Sequence, residues 1–376
     1  MARRPSIWIA ALLGLFAWFL VESCTSRQDS NLLRVGLVLP LTGDLASYGN
    51  NAKDGIELAE KELNAQAQQT GGIKIRTFIE DSKGEPQQAV SALQKLLAAD
   101  GVSCVIGDVA SSATLAMAPI ANKNRIVLMS PAASAPAISG AGEFVFRVWP
   151  SDDFESSVVA DYVRNKPYRR IAILYVNNDY GQAMLRSVTS RLQSFGGAIL
   201  AAEAFQQNAT DLRTQITKLA ASSPEVLFLV SYPKDTVLFL RQYTELGIHI
   251  PIVSTSSFDD PEILKQQGRA AEGTVFTSPL PPDGSDSVVA GFQESYMRKF
   301  GKKPGLVADY GYDALRVLAE AAKLSGGTDV DRLRSGLHAI RDFHGASGLI
   351  NFDANGDVLK PAGLRTVKDG KFAWLK

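Results

Sequence analysis

The chain has 376 residues, of which 45% are hydrophobic and 21% are charged. At roughly 150 residues per domain this length indicates two or three domains, or two large lobes, and the composition excludes wholesale disorder. The 39 basic and 39 acidic residues cancel, so no general positive charge favours a nucleic-acid partner, and two cysteines exclude a disulfide scaffold and a four-cysteine zinc site.

The first 23 residues have the pattern of a secretory signal peptide. Arg3 and Arg4 precede an apolar run over residues 7–21. A helix needs about 20 apolar residues to cross a bilayer, and this run is shorter, so we expect residues 1–23 to be a signal peptide that is removed. The alternative is an uncleaved membrane anchor. Both interpretations place the rest of the chain outside the cytoplasm, at a membrane face.

Residues 21–24 read Val-Glu-Ser-Cys, which resembles a bacterial lipoprotein signal. The resemblance implies that Cys24 is lipidated and that residues 24–31 form a polar tether, although Glu22 departs from the small or apolar residue usual there. Cys104 then has no partner in the chain. It lies in the segment VSCVI, which is typical of a buried strand, so we expect an inert structural thiol.

Apolar segments of strand length alternate with segments of helical periodicity as far as residue 253. The first series has predicted strands at 33–39, 73–79, 102–106 and 126–129, and helices at 49–69, from 86 and from 111. The second series has predicted helices at 154–165, 182–195, 211–222 and 234–246, and strands at 171–176, 198–205, 226–230 and 250–253. Such alternation predicts parallel sheets with helices on both faces. Two series of similar length predict an α/β protein with two doubly wound lobes.

The pattern changes after residue 284. Three helical stretches follow one another, at about 286–300, 306–324 and 329–341, and the last predicted strands are 347–352 and 363–367. These segments no longer alternate one by one.

Several kinds of catalytic and metal chemistry find no support in the sequence. It contains no dinucleotide-binding G-x-G-x-x-G after a strand, no phosphate-binding loop and no G-x-S-x-G. The three histidines have no metal-ligand spacing. Residues 353–357 begin like a calcium loop, but Val358 and Leu364 replace the required glycine and acid, so Asn355-Gly356 is interpreted as a tight turn. We expect no cofactor, no metal and no enzymatic activity.

Ligands of open α/β sheets bind beyond the carboxyl ends of the strands. The segments that follow the first, third and fourth predicted strands, residues 40–49, 107–114 and 130–136, are rich in small and hydroxyl residues and poor in charge. Ser111 or Ser112 would cap a helix whose free N–H groups attract a carboxylate without any arginine. The alternative is that these residues only form caps and turns.

The order of several short motifs resembles the periplasmic leucine/isoleucine/valine-binding proteins and their relatives, the amino-acid-type solute receptors of ABC transporters. The resemblance covers essentially all of residues 33–370. It is carried by LVLPLTGDLASYG (37–49), GGIKI (71–75), VIGDVASSAT (105–114), MSPAASAP (129–136), FRVWPSDD (146–153), NDYGQ (178–182), AAEGTVFTSP (270–279) and YDAL (312–315).

The resemblance implies the type I periplasmic binding fold, in which two lobes joined by three chain crossings hold a ligand in the cleft between them. We expect residues 32–148 with 278–350 to form the first lobe and residues 149–277 with 351–376 the second. Matched position by position, the ligand-binding residues would be Tyr48, Ser111, Ala132, Ala133, Ser134, Asp152, Tyr180, Tyr232 and Ser256. Ser111 would give its hydroxyl to the ligand carboxylate, and the two tyrosines of the second lobe would close over the ligand.

One departure from the family concerns the ammonium group of an amino-acid ligand. The family pairs it with a glutamate, but Ser256 stands at the matching position and cannot neutralise a charge. Burying an unpaired charge costs several kcal/mol in order-of-magnitude terms. Either Asp152, Asp259 or another acid takes over, or the ligand lacks an α-amino group. Asp259-Asp260-Pro261 is also typical of a helix start.

The sequence thus predicts an extracytoplasmic, lipid-anchored receptor that captures a neutral amino acid, such as a branched-chain one, and delivers it to an ABC permease. One alternative keeps the scaffold but binds an amide, or an aromatic or aliphatic carboxylate without an α-amino group. Another is a ligand-sensing receptor subunit, which would need a membrane span and a signalling part in addition. We expect no nucleic-acid partner.

Overall fold

Two β-sheets organise the protein. The computed structural model describes residues 31–280 and 286–375. The predicted signal peptide, Cys24 and nearly all of the tether therefore lie outside the described residues. No helix within those described ranges is long and apolar enough to cross a membrane.

The first sheet has five parallel strands in the order β2-β1-β3-β4-β5. The strands are β1 (Leu32–Leu39), β2 (Lys74–Asp81), β3 (Cys104–Gly107), β4 (Val127–Ser130) and β5 (Val145–Arg147). The helices between them are α1 (Ala46–Thr70), α2 (Pro86–Lys95) and α3 (Ser111–Asn124). All residues of β3 and β4 are buried, as expected for parallel strands covered on both faces.

The second sheet has the order β14-β13-β10-β9-β8-β6-β7. Its strands are β6 (Arg170–Val176), β7 (Ala198–Phe205), β8 (Val226–Val230), β9 (Ile252–Ser254), β10 (Val275–Pro279), β13 (Ala362–Lys368) and β14 (Lys371–Trp374). The helices associated with it are α4 (Asp152–Arg164), α5 (Asp179–Gln193), α6 (Arg213–Ala221), α7 (Pro233–Glu245) and α8 (Pro261–Ala271). The strands β13 and β14 add an antiparallel edge.

The chain returns to the first sheet after β10. The helices are α9 (Ser287–Phe300), α10 (Ala308–Ser325) and α11 (Val330–Ala339), followed by the hairpin β11 (Phe343–Gly345) and β12 (Gly348–Ile350). The helix α10 packs along α1 so closely that a Cβ on Gly55 would meet the carbonyl oxygen of Ala308 at 1.9 Å. The chain therefore passes between the two sheets three times: after β5, after β10 and before β13.

This architecture confirms the predicted α/β fold with two doubly wound parallel-sheet lobes. The exact lobe boundaries remain our proposal, and two observations bear on them. The strand β10 pairs with β13 of the second sheet as far as Pro279. This pairing continues two residues past the expected end of the second-lobe segment at residue 277. The turn between Phe352 and Val358 contacts the first sheet, because the backbone N–H of Arg147 donates to the carbonyl oxygen of Gly356 at 3.0 Å.

Some element bounds differ from the sequence-based expectation for local reasons. The helix α4 starts at Asp152 rather than at residue 154, because the Ser151 side chain accepts from the backbone N–H of Asp153 and caps it. The strand β9 starts at Ile252 rather than at residue 250. The Tyr243 hydroxyl bonds both the N–H and the carbonyl of Ile250, each at 2.6 Å, so Ile250 is not available to a neighbouring strand.

Cys104 is fully buried in β3 and is a free thiol. Burial raises its pKa to about 12. A thiol that does not ionise near neutral pH is a poor nucleophile, in keeping with the structural role expected for it.

Candidate functional site

The segments at the carboxyl ends of the strands meet in a cavity between the two sheets. Its volume is about 30 Å³, and it is lined by Tyr48, Val109, Ser111, Ala132, Ser134, Trp149, Tyr180, Tyr232, Ser256, Ser257, Leu306 and Val307. Seven of the nine residues that the sequence predicts for this site are among them. Their arrangement is an observation, whereas their role in binding stays a prediction.

The other two predicted residues do not line the cavity. Ala133 is buried in the loop after β4, where its backbone N–H donates to the Ser130 hydroxyl at 2.9 Å. Asp152 is buried in the first turn of α4, and its backbone N–H donates to the carbonyl oxygen of Ser134 at 2.9 Å. Both residues therefore support the cavity wall from behind.

Ser111 begins α3, and its hydroxyl is held by the neighbouring loop. The oxygen accepts from the backbone N–H of Ser134 at 3.2 Å and from that of Ala135 at 3.1 Å. Because the oxygen is an acceptor in both bonds, the hydroxyl hydrogen stays available as a donor. Together with the free N–H groups of the first turn of α3, it provides uncharged donors suited to an anion.

Arg147 holds the same loop through its carbonyl groups. This side chain is fully buried, and its Nη1 donates to the carbonyl oxygens of Ser134 and Ala135, both at 3.0 Å. Its Nε donates to Asp357 at 2.6 Å, and Nη2 donates to Ser139 at 2.8 Å. Arg147 thus ties the cavity loop to the turn near the third crossing.

Two stacked tyrosines form the wall contributed by the second sheet. The rings of Tyr180 and Tyr232 lie 5.5 Å apart at 22°. The Tyr180 hydroxyl bonds Thr255 at 2.7 Å, and Asn178 donates to the Tyr232 hydroxyl at 3.2 Å. Burial raises the pKa of both tyrosines, so both present neutral hydroxyls and apolar faces to the cavity.

Contacts between the two lobes close the cavity. The Tyr48 hydroxyl donates to the carbonyl oxygen of Ser257 at 3.3 Å, and the backbone N–H of Asp179 donates to the Ser112 hydroxyl at 3.1 Å. Lys234 of the second lobe forms an ion pair with the fully buried carboxylate of Asp44 of the first. The small volume of the cavity is that of the closed arrangement.

Two acids lie one helical turn apart behind the cavity. Glu155 accepts hydrogen bonds from the backbone N–H of Ser256 at 2.5 Å, from the Ser256 hydroxyl at 3.3 Å and from the Thr277 hydroxyl. Asp152 is fully buried, and neither of its carboxylate oxygens has a hydrogen-bond partner among the described residues. Burial, reinforced by the charge of Glu155, raises the pKa of Asp152 well above its usual range.

Asp259 and Asp260 are engaged elsewhere. Both oxygens of Asp259 accept from Arg365 at 2.6 Å, and Asp260 caps α8 by accepting from the backbone N–H of Glu262 at 2.9 Å. The helix start expected from Asp259-Asp260-Pro261 is therefore present. The structure thus does not support Asp259 as a replacement for the missing family glutamate.

Sequence reasoning missed Trp149, Glu155, Leu306 and Val307. A partial signal existed only for Glu155: it stands three residues after Asp152, a spacing that puts two side chains on one helix face, but the predicted helix began at residue 154 and did not include Asp152. In the part of the chain that the structure describes, no group of three or more His, Cys, Asp or Glu residues could hold a metal ion.

The chain is similar to known proteins over nearly its whole length. The family model described as "Periplasmic binding protein" matches residues 33–371. The Leu/Ile/Val-binding protein homolog 1 of Brucella suis is 28% identical over 351 residues, covering 91% of this chain and 93% of the relative. The leucine-, isoleucine-, valine-, threonine-, and alanine-binding protein of Pseudomonas aeruginosa is 25% identical over 350 residues, covering 92% and 93%.

Solved structures agree in fold. A leucine binding protein from Thermotoga maritima has a TM-score of 0.84 at 28% identity, covering 92% of this chain and 98% of that one. A branched-chain amino acid transporter substrate binding protein from Streptococcus pneumoniae, in complex with isoleucine, has a TM-score of 0.82 at 27% identity, covering 91% and 97%. A solute binding protein from R. palustris in complex with benzoate has a TM-score of 0.82 at 21% identity, covering 92% and 95%.

Proposed function

The chain belongs to the periplasmic binding protein family, the solute-binding components of ABC transporters, and from this premise we propose that it captures a neutral amino acid in the cavity between its lobes. The proposal rests on one observation above all. Ser111 presents a hydroxyl to the cavity while its oxygen is fixed by the N–H groups of Ser134 and Ala135. A carboxylate placed there would receive this hydroxyl and the N–H groups at the start of α3.

The remaining walls suit an apolar side chain of modest size. Trp149, Val109, Leu306 and Val307 surround the cavity with the tyrosine rings, and no lysine, arginine or histidine lines it among the described residues. Binding sites for small ligands combine such apolar walls with a few well-placed polar groups. A branched-chain or other neutral amino acid fits this distribution better than a ligand with a charged side chain.

Ligand capture would use hinge closure about the three chain crossings. Contacts to the ligand from Ser111 in the first lobe and from Tyr180 and Tyr232 in the second exist together only when the lobes are closed. A ligand therefore shifts the population toward the closed form. The closed form would dock on a membrane permease and release its cargo there, and lipid on Cys24 would keep the receptor at the membrane.

A panel of ligands in a thermal-shift assay tests the proposed cargo, because a ligand that binds only the folded state raises the melting temperature by mass action. Branched-chain and other neutral amino acids should raise it. No shift with any amino acid, together with a shift from organic acids or amides, would reject the amino-acid proposal and leave the receptor scaffold intact.

A second candidate ligand is an amide, or an aromatic or aliphatic carboxylate without an α-amino group. It is favoured by Ser256, which stands where the family resemblance places a glutamate, and a relative of the same fold holds benzoate. A ligand-sensing subunit on this scaffold is the remaining alternative. Uptake of labelled ligand by membrane vesicles that contain the permease distinguishes transport from sensing.

Lipid anchoring has its own test. The full chain expressed in bacteria should partition into detergent and incorporate labelled fatty acid, and Cys24→Ser should abolish both. The matched control is Cys104→Ser, because Cys104 is buried in β3 and unavailable to a lipid-transfer enzyme. Incorporation of the fatty acid into Cys24→Ser would show that Cys24 is not the anchor.

A further inference from the structure

Lys360 is a buried cation at the third crossing between the lobes. The residue is 6% exposed and stands two positions before β13, where the chain enters the second sheet. A lysine is almost never buried without partners, because its ammonium loses the hydration that water provides. The groups that hold this ammonium therefore fix the position of the crossing itself.

The ammonium of Lys360 contacts segments that belong with the first sheet. Its Nζ donates to the carbonyl oxygen of Ser347 at 3.0 Å and to the Ser347 hydroxyl. It also lies 4.5 Å from the centre of the Tyr310 ring, as in a cation–π contact. Ser347 lies between β11 and β12, and Tyr310 lies in the first turn of α10. The crossing is thus attached to the first lobe through one side chain.

Asp313 of α10 holds Ser347 in position for this contact. Its fully buried carboxylate accepts from the backbone N–H groups of Ala346 and Ser347, both at 2.7 Å, and from the Ser347 hydroxyl at 2.5 Å. The Ser347 hydroxyl therefore lies between the Lys360 ammonium and the Asp313 carboxylate, accepting from the first and donating to the second. A buried polar network whose members are satisfied in this way is rigid.

Tyr310 also contacts the wall of the binding cavity. Its ring lies 4.6 Å from the ring of Trp149, at an angle of 51°. Trp149 lines the cavity and follows β5 by two residues, at the first crossing. Lys360, Tyr310 and Trp149 are therefore in contact one after another, and they connect the third crossing to the first and to the cavity.

The chain changes lobe immediately after Lys360. Ala362 already pairs with Pro279 in the second sheet, and the carbonyl oxygen of Pro361 accepts from the backbone N–H of Leu280 at 2.9 Å. Hinges concentrate the change in backbone angles in a few residues. Rotation of the lobes is then absorbed at the third crossing within the few residues after Lys360, whose own position stays with the first lobe.

We propose that Lys360 is a positioning residue for ligand capture: the charge of its ammonium fixes the third crossing to the first lobe and, through the Tyr310 ring, holds Trp149 in the cavity wall. This inference goes beyond the proposed function, because it concerns how the wall is held, whichever ligand the cavity takes. The charged groups that face the ammonium are Asp309 and Asp313 of α10, and burial nevertheless lowers the pKa of Lys360 to about 8. The ammonium therefore loses its proton at mildly alkaline pH, and the cation–π contact ends.

The fluorescence of Trp149 tests the proposal without any ligand. Because the chain has four tryptophans, the parent protein for this test carries Trp8→Phe, Trp18→Phe and Trp374→Phe. Lys360→Met in this parent removes the ammonium and keeps an unbranched side chain that tolerates burial. The matched control is Lys368→Met, which removes an exposed lysine of β13.

Lys360→Met should shift the Trp149 emission to longer wavelength at neutral pH and make it easier to quench with acrylamide, because the ring is held less firmly. The parent should show the same change as the pH rises from about 7 to about 9.5, below the range in which ordinary lysines titrate. Its midpoint should lie near the pKa of about 8. Lys360→Met should show no such transition, and Lys368→Met should behave like the parent.

Calorimetric titration with leucine adds a functional measurement. At about pH 7, Lys360→Met should bind leucine about three- to tenfold more weakly than Lys368→Met, as expected for the loss of a buried cation–π contact. The two variants should converge at about pH 9, because Lys360 is then largely neutral in the control as well. Comparison at each pH cancels the titration of leucine itself. Burial makes the contribution of Lys360 to the unfolding free energy rise over this range, so a fall in affinity reports positioning and not a loss of stability.

Unchanged Trp149 emission in Lys360→Met overturns the inference, and so does a pH transition that persists in this variant or is missing from the parent. Failure of leucine to bind the parent and both variants rejects leucine as the cargo, and the fluorescence comparison still decides the role of Lys360. If Lys360→Met does not fold, Lys360→Arg replaces it, because a guanidinium stays charged throughout this pH range. It should keep the parent's emission at neutral pH without the transition, and a persisting transition there overturns the inference.

Discussion

The side-chain oxygen of Ser111 accepts a hydrogen bond from the backbone N–H of Ser134, 3.2 Å away and 23 residues later in the chain. This bond joins the start of α3 to the loop after β4 and orients a hydroxyl that is buried at the cavity. The orientation is set before any ligand arrives, so little entropy is lost when the hydroxyl donates to a carboxylate.

Ser111→Ala should weaken ligand binding by about 10- to 100-fold, because hydrogen bonds to charged groups are worth about 1.5–3 kcal/mol. The substitution also leaves the N–H groups of Ser134 and Ala135 without their acceptor. Calorimetric titration of the ligand found in the thermal screen measures the change. Ser157→Ala is the control, since Ser157 is half-buried, lies outside the cavity lining and donates to a carbonyl of its own helix. Equal losses in both variants would count against a ligand contact at Ser111.

The ion pair between Lys234 of the second lobe and Asp44 of the first lobe should stabilise the closed form. Lys234→Ala should raise the ligand dissociation constant about two- to fivefold, since a partly exposed pair contributes up to about 1 kcal/mol. The loss should shrink at high salt, because screening already weakens the exposed end of the pair. The Lys234 side chain is 65% exposed and the Asp44 side chain is 0% exposed, so one end of the pair faces solvent and the other is buried.

The control for Lys234→Ala is Lys218→Ala. Lys218 pairs with Glu203 inside the second lobe, at 3.2 Å, and does not connect the lobes. Titrations at low and high salt should separate the two variants. Identical salt dependence in both would mean that the contact to Asp44 has no part in closure.

The sequence was sufficient to predict the elements and residues that follow from local pattern and topology. Parallel strands bring their carboxyl ends to one edge, so Ser111 and the residue 130–136 loop were predicted to meet from alternation alone. Tyr180 and Tyr232 needed the family resemblance, since nothing local distinguishes them from core tyrosines. The structure places both in the cavity wall.

What the sequence could not predict depends on contacts between distant segments. Glu155 meets Ser256 across 101 residues and Thr277 across 122, and Arg147 meets Asp357 across 210. Strand β5 has three residues and shows no period, and β14 is a short exposed edge. Such elements form through pairing with neighbouring strands, because three or four residues carry too little hydrophobic pattern of their own to be predicted.

Arg147→Met should destabilise the protein by about 3–5 kcal/mol, because it leaves Asp357 and the carbonyls of Ser134 and Ala135 without their buried donor. Urea unfolding monitored by circular dichroism measures the change. The loop that lines the cavity should also lose its fixed position, so ligand affinity should fall in whatever fraction remains folded. Arg164→Met is the matched control, since Arg164 is an exposed arginine paired with Asp161 on one helix. A similar loss of stability in both variants would show that the buried hydrogen bonds of Arg147 contribute no more to the free energy of unfolding than an exposed ion pair does.

The pH dependence of stability should reflect three buried carboxyls. Burial raises the pKa of Asp108 to about 7, of Asp235 to about 7 and of Asp309 to about 6, from an ordinary value of 3.8. In this pH range the folded protein binds more protons than the unfolded chain, so the free energy of unfolding falls as pH rises. Burial lowers the pKa of Lys360 to about 8, so above that value its own contribution makes stability rise with pH.

Asp235→Asn tests that slope directly. The carboxyl caps α7 by accepting from the backbone N–H of Tyr232 at 3.4 Å, a bond that the asparagine oxygen can keep. The substitution removes the raised-pKa group, so the fall in unfolding free energy between about pH 4 and pH 7 should become shallower. Urea unfolding across that range measures it, with Asp369→Asn as an exposed control. Burial and, to a smaller extent, the charge of Asp44 raise the pKa of Asp235. An unchanged slope would mean that Asp235 has the same pKa in the folded and unfolded protein.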